Sequence, residues 1–289
     1  MKIGSFFSLV KFSHTIFALP FAMLGFFIAL HHDGMASIRF KELGLILLCM
    51  VTARNAAMAF NRWADRFIDL KNKRTATREI PSGVISPNAA FLFILVNSVV
   101  FMGSAWFLNS LCFYLSPLAL FIVLGYSYTK RFSWLCHVFL GLGLSLAPVG
   151  AYIAVTGHFD LLPILYGVAV IAWVAGFDVL YALQDIEFDK SENLYSIPSK
   201  FGINKAMIIS SFLHFICACC ILTCAWFLYL DYGLQDWMWL GTAGFLFLLF
   251  YQHWVIRNHQ LDRINLAFFT TNGVASVFLS LMTILDFYL

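Results

Sequence analysis

Apolar runs of membrane-spanning length recur along nearly the whole chain, and they leave it few possible folds. They cover residues 14–30, 43–60, 89–108, 111–128, 134–155, 162–183, 205–229, 237–256 and 265–287. Crossing a hydrocarbon core about 30 Å thick takes roughly 17–25 helical residues, and a helix satisfies its own backbone polar groups inside lipid. Charged residues are only 11% of the 289 and the mean hydropathy is +0.83, against about 25% charge in a soluble domain. Too little polar material exists to cover a water-facing surface, so a soluble enzyme is excluded. The expected fold is all-α: a polytopic membrane protein of nine transmembrane helices, with residues 1–289 forming a single domain.

The first apolar run resembles the core of a signal peptide. However, it contains Pro20 and Gly25, and no small-x-small cleavage site precedes the polar turn His31-His32-Asp33. It is therefore expected to be a retained first span. Spans three and four meet at Asn109-Ser110, which requires a very tight hairpin. Two connections are long and polar, 61–88 and 184–204. Cys217, Cys219, Cys220 and Cys224 lie among Ile, Leu and Ala, with His214 nearby and no carboxylate. They read as packing residues, without a disulfide framework.

Lys and Arg set the orientation. With the N-terminus in the cytoplasm, segments 1–13, 61–88, 129–133, 184–205 and 257–264 hold fifteen of the eighteen basic residues. Only Arg39 and Lys41 fall on the other side, and Arg54 lies within span two. The N-terminus is thus expected inside and the C-terminus outside.

The first long connection opens Asn61-Arg62-Trp63-Ala64-Asp65-Arg66-Phe67-Ile68-Asp69. Positions i, i+4 and i+8 advance about 40° per step, so Asn61, Asp65 and Asp69 share a helical stripe. Arg54 is about 20° from Asn61 on the same wheel. The second connection is preceded by Asp178-Val-Leu-Tyr181 and continues to Asp185-Ile-Glu187-Phe-Asp189. On one helix Asp178, Asp185 and Asp189 would fall within about 40° of each other, with Tyr181 beside them. The pair Asp185/Asp189 repeats Asp65/Asp69, each at the end of an even-numbered span. This spacing suggests two four-helix repeats plus one further helix.

Stacked carboxylates at the end of a span are costly unless cations stand between them. Mg²⁺ suits them, since it takes oxygen ligands and is commonly shared between carboxylates and substrate phosphates. Cations for such phosphates follow in Lys71, Lys73, Arg74 and Arg78, and again in Tyr126-Ser-Tyr128-Thr-Lys130-Arg131. Arg and Lys bind diphosphate oxygens well. Among these, Lys71, Lys73 and Arg131, together with Arg257, read as topology determinants. His14, Trp63 and His137 read as packing or interfacial residues, and Glu187 and Glu192 as solvated loop charges.

These residues make the chain similar to the UbiA superfamily of intramembrane prenyltransferases. Asn61, Asp65 and Asp69 match its N-x-x-x-D-x-x-x-D motif. Asp178, Tyr181, Ala182, Asp185 and Asp189 match D-x-x-Y-A-x-x-D-x-x-x-D. Arg74 through Arg78 to Pro81-Ser82-Gly83 matches the basic follow-on, and Tyr126 with Lys130-Arg131 matches Y-x-x-x-K-R. The chain departs from the pattern at Arg62, where many members have Asp, and at Tyr195-Ser196, where Lys-Ser is common. The closer resemblance is to the 4-hydroxybenzoate polyprenyltransferase branch, some of whose members are thought to act on 1,4-dihydroxy-6-naphthoate.

The resemblance implies Mg²⁺-dependent transfer of a polyprenyl group from polyprenyl diphosphate to an aromatic acid, in the biosynthesis of ubiquinone or menaquinone. Asp65, Asp69, Asp185 and Asp189 would hold the Mg²⁺-diphosphate, with help from Asn61. Arg74, Arg78 and Lys130 would take the remaining phosphate oxygens. Tyr126 and Tyr181 would face the allylic cation, Asp178 would take the ring proton, and Arg54 would meet the acceptor's carboxylate. The expected partners are the donor, the acceptor and the lipid bilayer, with no nucleic acid. The expected location is a bacterial-type inner (cytoplasmic) membrane, with the active site on its cytoplasmic face. The rival class is an ion-coupled transporter, whose acidic groups should lie nearer the midplane.

Overall fold

Caps and breakers in the sequence set the helix ends. A computed structural model describes residues 6, 8–9, 18–32, 34, 37–256 and 270–289. Its α-helices are α1 (Leu19–His32), α2 (Phe40–Ala64), α3 (Arg66–Lys71), α4 (Pro87–Leu108), α5 (Ser110–Thr129), α6 (Cys136–Thr156), α7 (Leu161–Tyr181), α8 (Ile186–Ser191), α9 (Ile197–Tyr232), α10 (Asp236–Ile256) and α11 (Asn272–Asp286). Ser86 caps α4 by accepting from Ala89 N, with Pro87 opening the helix. Asp160 caps α7 in the same way through Leu162 N. Ser196 and Ser199 form a capping box at the start of α9, satisfying N–H groups that a helix start leaves without partners.

Among the described residues every regular element is helical, with no strand. Seven helical stretches among the described residues are long and apolar enough to cross a membrane: α2, α4, α5, α6, α7 (together with α8), α9 and α10. The shorter apolar helices α1 and α11 occupy the described parts of the first and ninth expected spans. Residues 14–17 and 265–269 of those spans, segment 257–264, most of 1–13, and the residues His14 and Arg257 lie outside the described residues. Helix α9 starts at Ile197, eight residues before the expected boundary, and kinks at Gly202.

The hairpin at Asn109-Ser110 turns on one side chain. Asn109 Oδ1 accepts from Cys112 N at 2.9 Å, while its Nδ2 donates to Ile153 O at 2.8 Å in α6. One residue thus ends α4, starts α5 and ties both to α6.

Helix α7 is the most buried of the spanning helices and packs most extensively against α6 and α9. Trp173 at its centre meets Phe21 and Phe245, and Trp173 Nε1 donates to Asn272 Oδ1 at 3.0 Å. Two glycines let backbones touch. A Cβ on Gly25 would lie 2.3 Å from Pro148 O, and one on Gly141 would lie 2.6 Å from Ile171 O. Such close approach is how membrane helices gain packing where lipid offers no hydrophobic drive. Phe91, Leu92, Trp106, Phe107 and Phe121 of α4 and α5 remain exposed, an apolar exterior suited to lipid.

Candidate active site

Asn61 lies in the last turn of α2, which ends just before Asp65. Helix α3 then resumes and carries Asp69. Backbone bonds run through the break, from Asp65 N to Asn61 O at 3.0 Å and from Asp69 N to Asp65 O at 2.7 Å. The stripe expected from the spacing therefore survives it. Asp65 is 1% exposed and Asp69 5%, and a buried carboxylate requires a charge partner. Lys130 Nζ lies 2.5 Å and Arg131 Nη2 3.2 Å from Asp65, and Asn61 Nδ2 donates to it at 3.4 Å. Arg78 Nη1 reaches both Asp69 oxygens, at 2.7 and 2.9 Å.

The second motif differs from its expected geometry. Helix α7 ends at Tyr181, a 3₁₀ turn covers Ala182–Asp185, and α8 follows with Asp189. A 3₁₀ turn advances about 120° per residue instead of about 100°, so one α-helical wheel does not relate Asp178 to Asp185 and Asp189. Each carboxylate finds a different partner. Arg74 Nη2 lies 2.6 Å from Asp185, Ser196 Oγ donates to Asp189 at 2.8 Å, and His137 Nδ1 is 2.7 Å from Asp178. The Arg74 guanidinium also sits 6.0 Å from the Tyr181 ring centre.

A cavity of about 280 Å³ brings the two motifs together. Asn61, Asp65 and Asp69 line one side, and Asp178, Tyr181, Asp185 and Asp189 the other. Arg74 and Arg78 come from the first long connection, and Tyr126 and Lys130 from the end of α5. Backbone contact between Tyr195 N and Lys130 O, at 2.7 Å, ties the second long connection to that same end. Arg54 does not line the cavity. It is set back within α2, interacts electrostatically with Tyr126, and has no hydrogen-bond partner at Nε or Nη2.

Several residues have more specific contacts than their sequence suggested. His137, read as packing, lines the cavity and holds Asp178. Arg131, read as a topology determinant, also binds Asp65 and donates to Ala64 O at 2.7 Å. Lys71 and Glu192, read as a topology determinant and a solvated charge, pair at 2.5 Å and join the two long connections. Ser196 both caps α9 and contacts Asp189. The Lys-Arg dipeptide ending α5 was a usable signal for Arg131. His137 had none, because its partner lies 41 positions along the chain.

The donor set fits Mg²⁺ delivered with a diphosphate. It consists of oxygen ligands on two separate helix ends, with Arg and Lys interleaved. Among the described residues no three His, Cys, Asp or Glu side chains stand close enough to hold a metal ion unaided. Mg²⁺ commonly binds through one or two carboxylates plus substrate phosphates, without an all-protein cage.

The sequence profile of the UbiA prenyltransferase family matches residues 18–280. The chain belongs to the UbiA prenyltransferase family. Among similar UbiA-family proteins, the 4-hydroxybenzoate octaprenyltransferase of Tolumonas auensis is 31% identical over 221 residues, covering 76% of each chain. That of Aliivibrio fischeri is 30% identical over 233 residues, covering 81% of this chain and 79% of the relative. The apo structure of a UbiA homologue from Aeropyrum pernix K1 superposes with a TM-score of 0.83 at 31% identity, covering 94% of this chain and 98% of that one. A UbiA homologue from Archaeoglobus fulgidus, bound to GPP and Mg²⁺, shares the fold at 18% identity with a TM-score of 0.71, covering 99% of this chain and all of that one. The protein is thus a prenyltransferase embedded in a membrane, and membership of this transferase family overturns the transporter reading.

Proposed function

We propose that this UbiA-family enzyme transfers a polyprenyl group from polyprenyl diphosphate to the ring of an aromatic acid, with 4-hydroxybenzoate as the foremost acceptor. The observation carrying this reading is the meeting of Asp65/Asp69 and Asp185/Asp189 across one cavity walled by Arg74, Arg78 and Lys130. Respiratory quinone biosynthesis is the pathway class this reaction serves. The 4-hydroxybenzoate octaprenyltransferases among its relatives favour the benzoate. The same site chemistry on 1,4-dihydroxy-6-naphthoate is the second reading.

Asp65, Asp69, Asp185 and Asp189 would supply the oxygen ligands, with Asn61 holding Asp65 in place. Bound Mg²⁺ adds positive charge to the diphosphate and stabilises it as a leaving group. Arg74, Arg78 and Lys130 exchange their carboxylate contacts for diphosphate oxygens, which favours departure of the anion. The Tyr126 and Tyr181 rings offer π faces to the allylic cation. Arg54 takes the acceptor's carboxylate, which would supply the partner that two of its buried nitrogens lack. Asp178 takes the ring proton.

The architecture we propose has nine spans, with α1, α2, α4 and α5 as one repeat, α6, α7, α9 and α10 as the second, and α11 added. The matching places of the Asp pairs, after α2 and after α7, support it. The one-sided distribution of Lys and Arg supports a cytoplasmic N-terminus and cavity in a bacterial-type inner membrane. A competition assay tests the function: purified protein in nanodiscs with Mg²⁺, a long polyprenyl diphosphate and both acceptors, with products identified by mass spectrometry. Prenylated benzoate is expected. Prenylated naphthoate alone would transfer the assignment to the second reading, and no prenylated product from either would sink both.

A further inference from the structure

We propose that His137 is a positioning residue that fixes the Asp178 carboxylate for removal of the ring proton, an inference that rests on the aromatic-acceptor reading above. His137 lies in the first turn of α6, is 2% exposed, and meets a polar partner at each ring nitrogen. The backbone N–H of Ile197 donates to Nε2 at 3.2 Å, and Nδ1 lies 2.7 Å from Asp178 Oδ2. A backbone N–H can only donate, so Nε2 carries no proton. The ring is therefore the neutral Nδ1–H tautomer, and it donates to the carboxylate.

This arrangement has two consequences. Asp178 is held in one orientation by an N–H donor that is itself fixed by the start of α9. Its Oδ2 is occupied by His137, which leaves Oδ1 to serve the cavity that Asp178 lines. In the reaction, the acceptor's ring carbon bonds to C1 of the prenyl group as diphosphate departs. The ring C–H bond then breaks, its electron pair restores aromaticity, and the proton passes to Asp178 Oδ1 and on to water at the cavity mouth.

The anchor for this pair lies at the start of α9. Ile197 opens α9, and its N–H is one of the groups that a helix start leaves without an intrahelical partner. The preceding residue, Ser196, donates through Oγ to Asp189. The start of α9 thus holds the imidazole through one residue and a diphosphate-side carboxylate through the next. Proton removal and donor binding share this anchor but use different contacts, so a change at His137 should affect the first and spare the second.

The test compares wild type with His137→Leu, which removes both contacts, and His137→Asn, which keeps an N–H donor near the Nδ1 position. His137→Leu is expected to lower kcat about 10²-fold while the donor KM stays within about twofold. With acceptor deuterated at the reacting carbon, the isotope effect on kcat should rise from near unity in wild type to a normal primary effect in the Leu variant. His137→Asn should recover most of the rate. Nitrogen NMR of histidine-labelled protein should show an Nδ1–H, Nε2-unprotonated signal that is lost in both variants and is thereby assigned to His137. A uniform loss of rate with an unchanged isotope effect would reduce His137 to packing, and a protonated Nε2 would overturn the proposal directly. Failure of wild type to prenylate either acceptor would sink the activity reading and the proton-transfer role with it. The NMR result would still decide whether His137 orients Asp178.

Discussion

Lys130 Nζ lies 2.5 Å from Asp65 Oδ2, joining the end of α5 to the end of α2 across the cavity wall. Arg131 reaches the other oxygen of the same carboxylate. The side chains of the two cations are about a third exposed, at 30% and 37%. Both can swing to water with little penalty. Asp65→Asn should therefore abolish prenyl transfer, by about 10³-fold or more, while thermal stability changes by less than about 1 kcal/mol. Turnover and a melting curve on one preparation check this, and wild-type turnover in the variant would remove Asp65 from the metal assignment.

Metal binding should depend on diphosphate. Asp65, Asp69 and Asp185 are each paired with Lys or Arg, and no three-residue ligand group exists among the described residues. Millimolar Mg²⁺ alone should leave Tm nearly unchanged. Mg²⁺ with inorganic diphosphate should raise it by several degrees, because only their joint binding favours the folded state, and a chelator should reverse the rise. An equal shift with Mg²⁺ alone would mean a preformed metal site.

Arg54 should be dispensable for folding and needed for the acceptor. Its Nε and Nη2 are buried without partners, and an unpaired Arg within a span costs about 2.5–3.5 kcal/mol on insertion scales. Arg54→Met is expected to keep or raise Tm while raising the acceptor KM about 10²-fold and leaving the donor KM unchanged. Melting and two-substrate kinetics separate these effects. A lower Tm with unaltered acceptor KM would make Arg54 structural.

Gly141 should be intolerant of even one methyl group. Its Cβ would sit 2.6 Å from Ile171 O and 3.0 Å from Ile171 Cα. The contact is with backbone, so no side chain can move to relieve it. Gly141→Ala should push α6 from α7 at a cost of about 1–3 kcal/mol. It lies one turn beyond His137, so turnover should fall together with stability. Unfolding in a denaturing detergent titration measures the first, and the prenyl-transfer assay the second.

The helical class and the acidic motifs were legible because they depend on short-range rules. A run of twenty apolar residues can be stable in lipid only as a helix, and Asn61, Asp65 and Asp69 share a stripe because four residues make nearly one turn. The same rule failed after Tyr181. Nothing in Ala182-Leu183-Gln184-Asp185 marks a switch to 3₁₀ geometry, and a wheel drawn through it carries the wrong phase. Arg131, Lys71 and Glu192 were undervalued for a related reason. Composition shows on which side of a membrane a charge lies, but not which charge 66 or 121 residues away it will meet.

The sequence by itself determined that the chain is helical and apolar, where its carboxylates recur and which cations accompany them, because helix period and transfer energy act within a few residues. Only the tertiary structure decided that both carboxylate pairs share one cavity, that Arg54 is set back from it with two nitrogens unpartnered, and that His137 stands between Asp178 and the start of α9. Those relationships depend on how α2, α5, α6, α7 and α9 cross. Backbone contact at Gly141 sets the α6–α7 part of that crossing, and pairwise packing between distant segments leaves no local pattern to read.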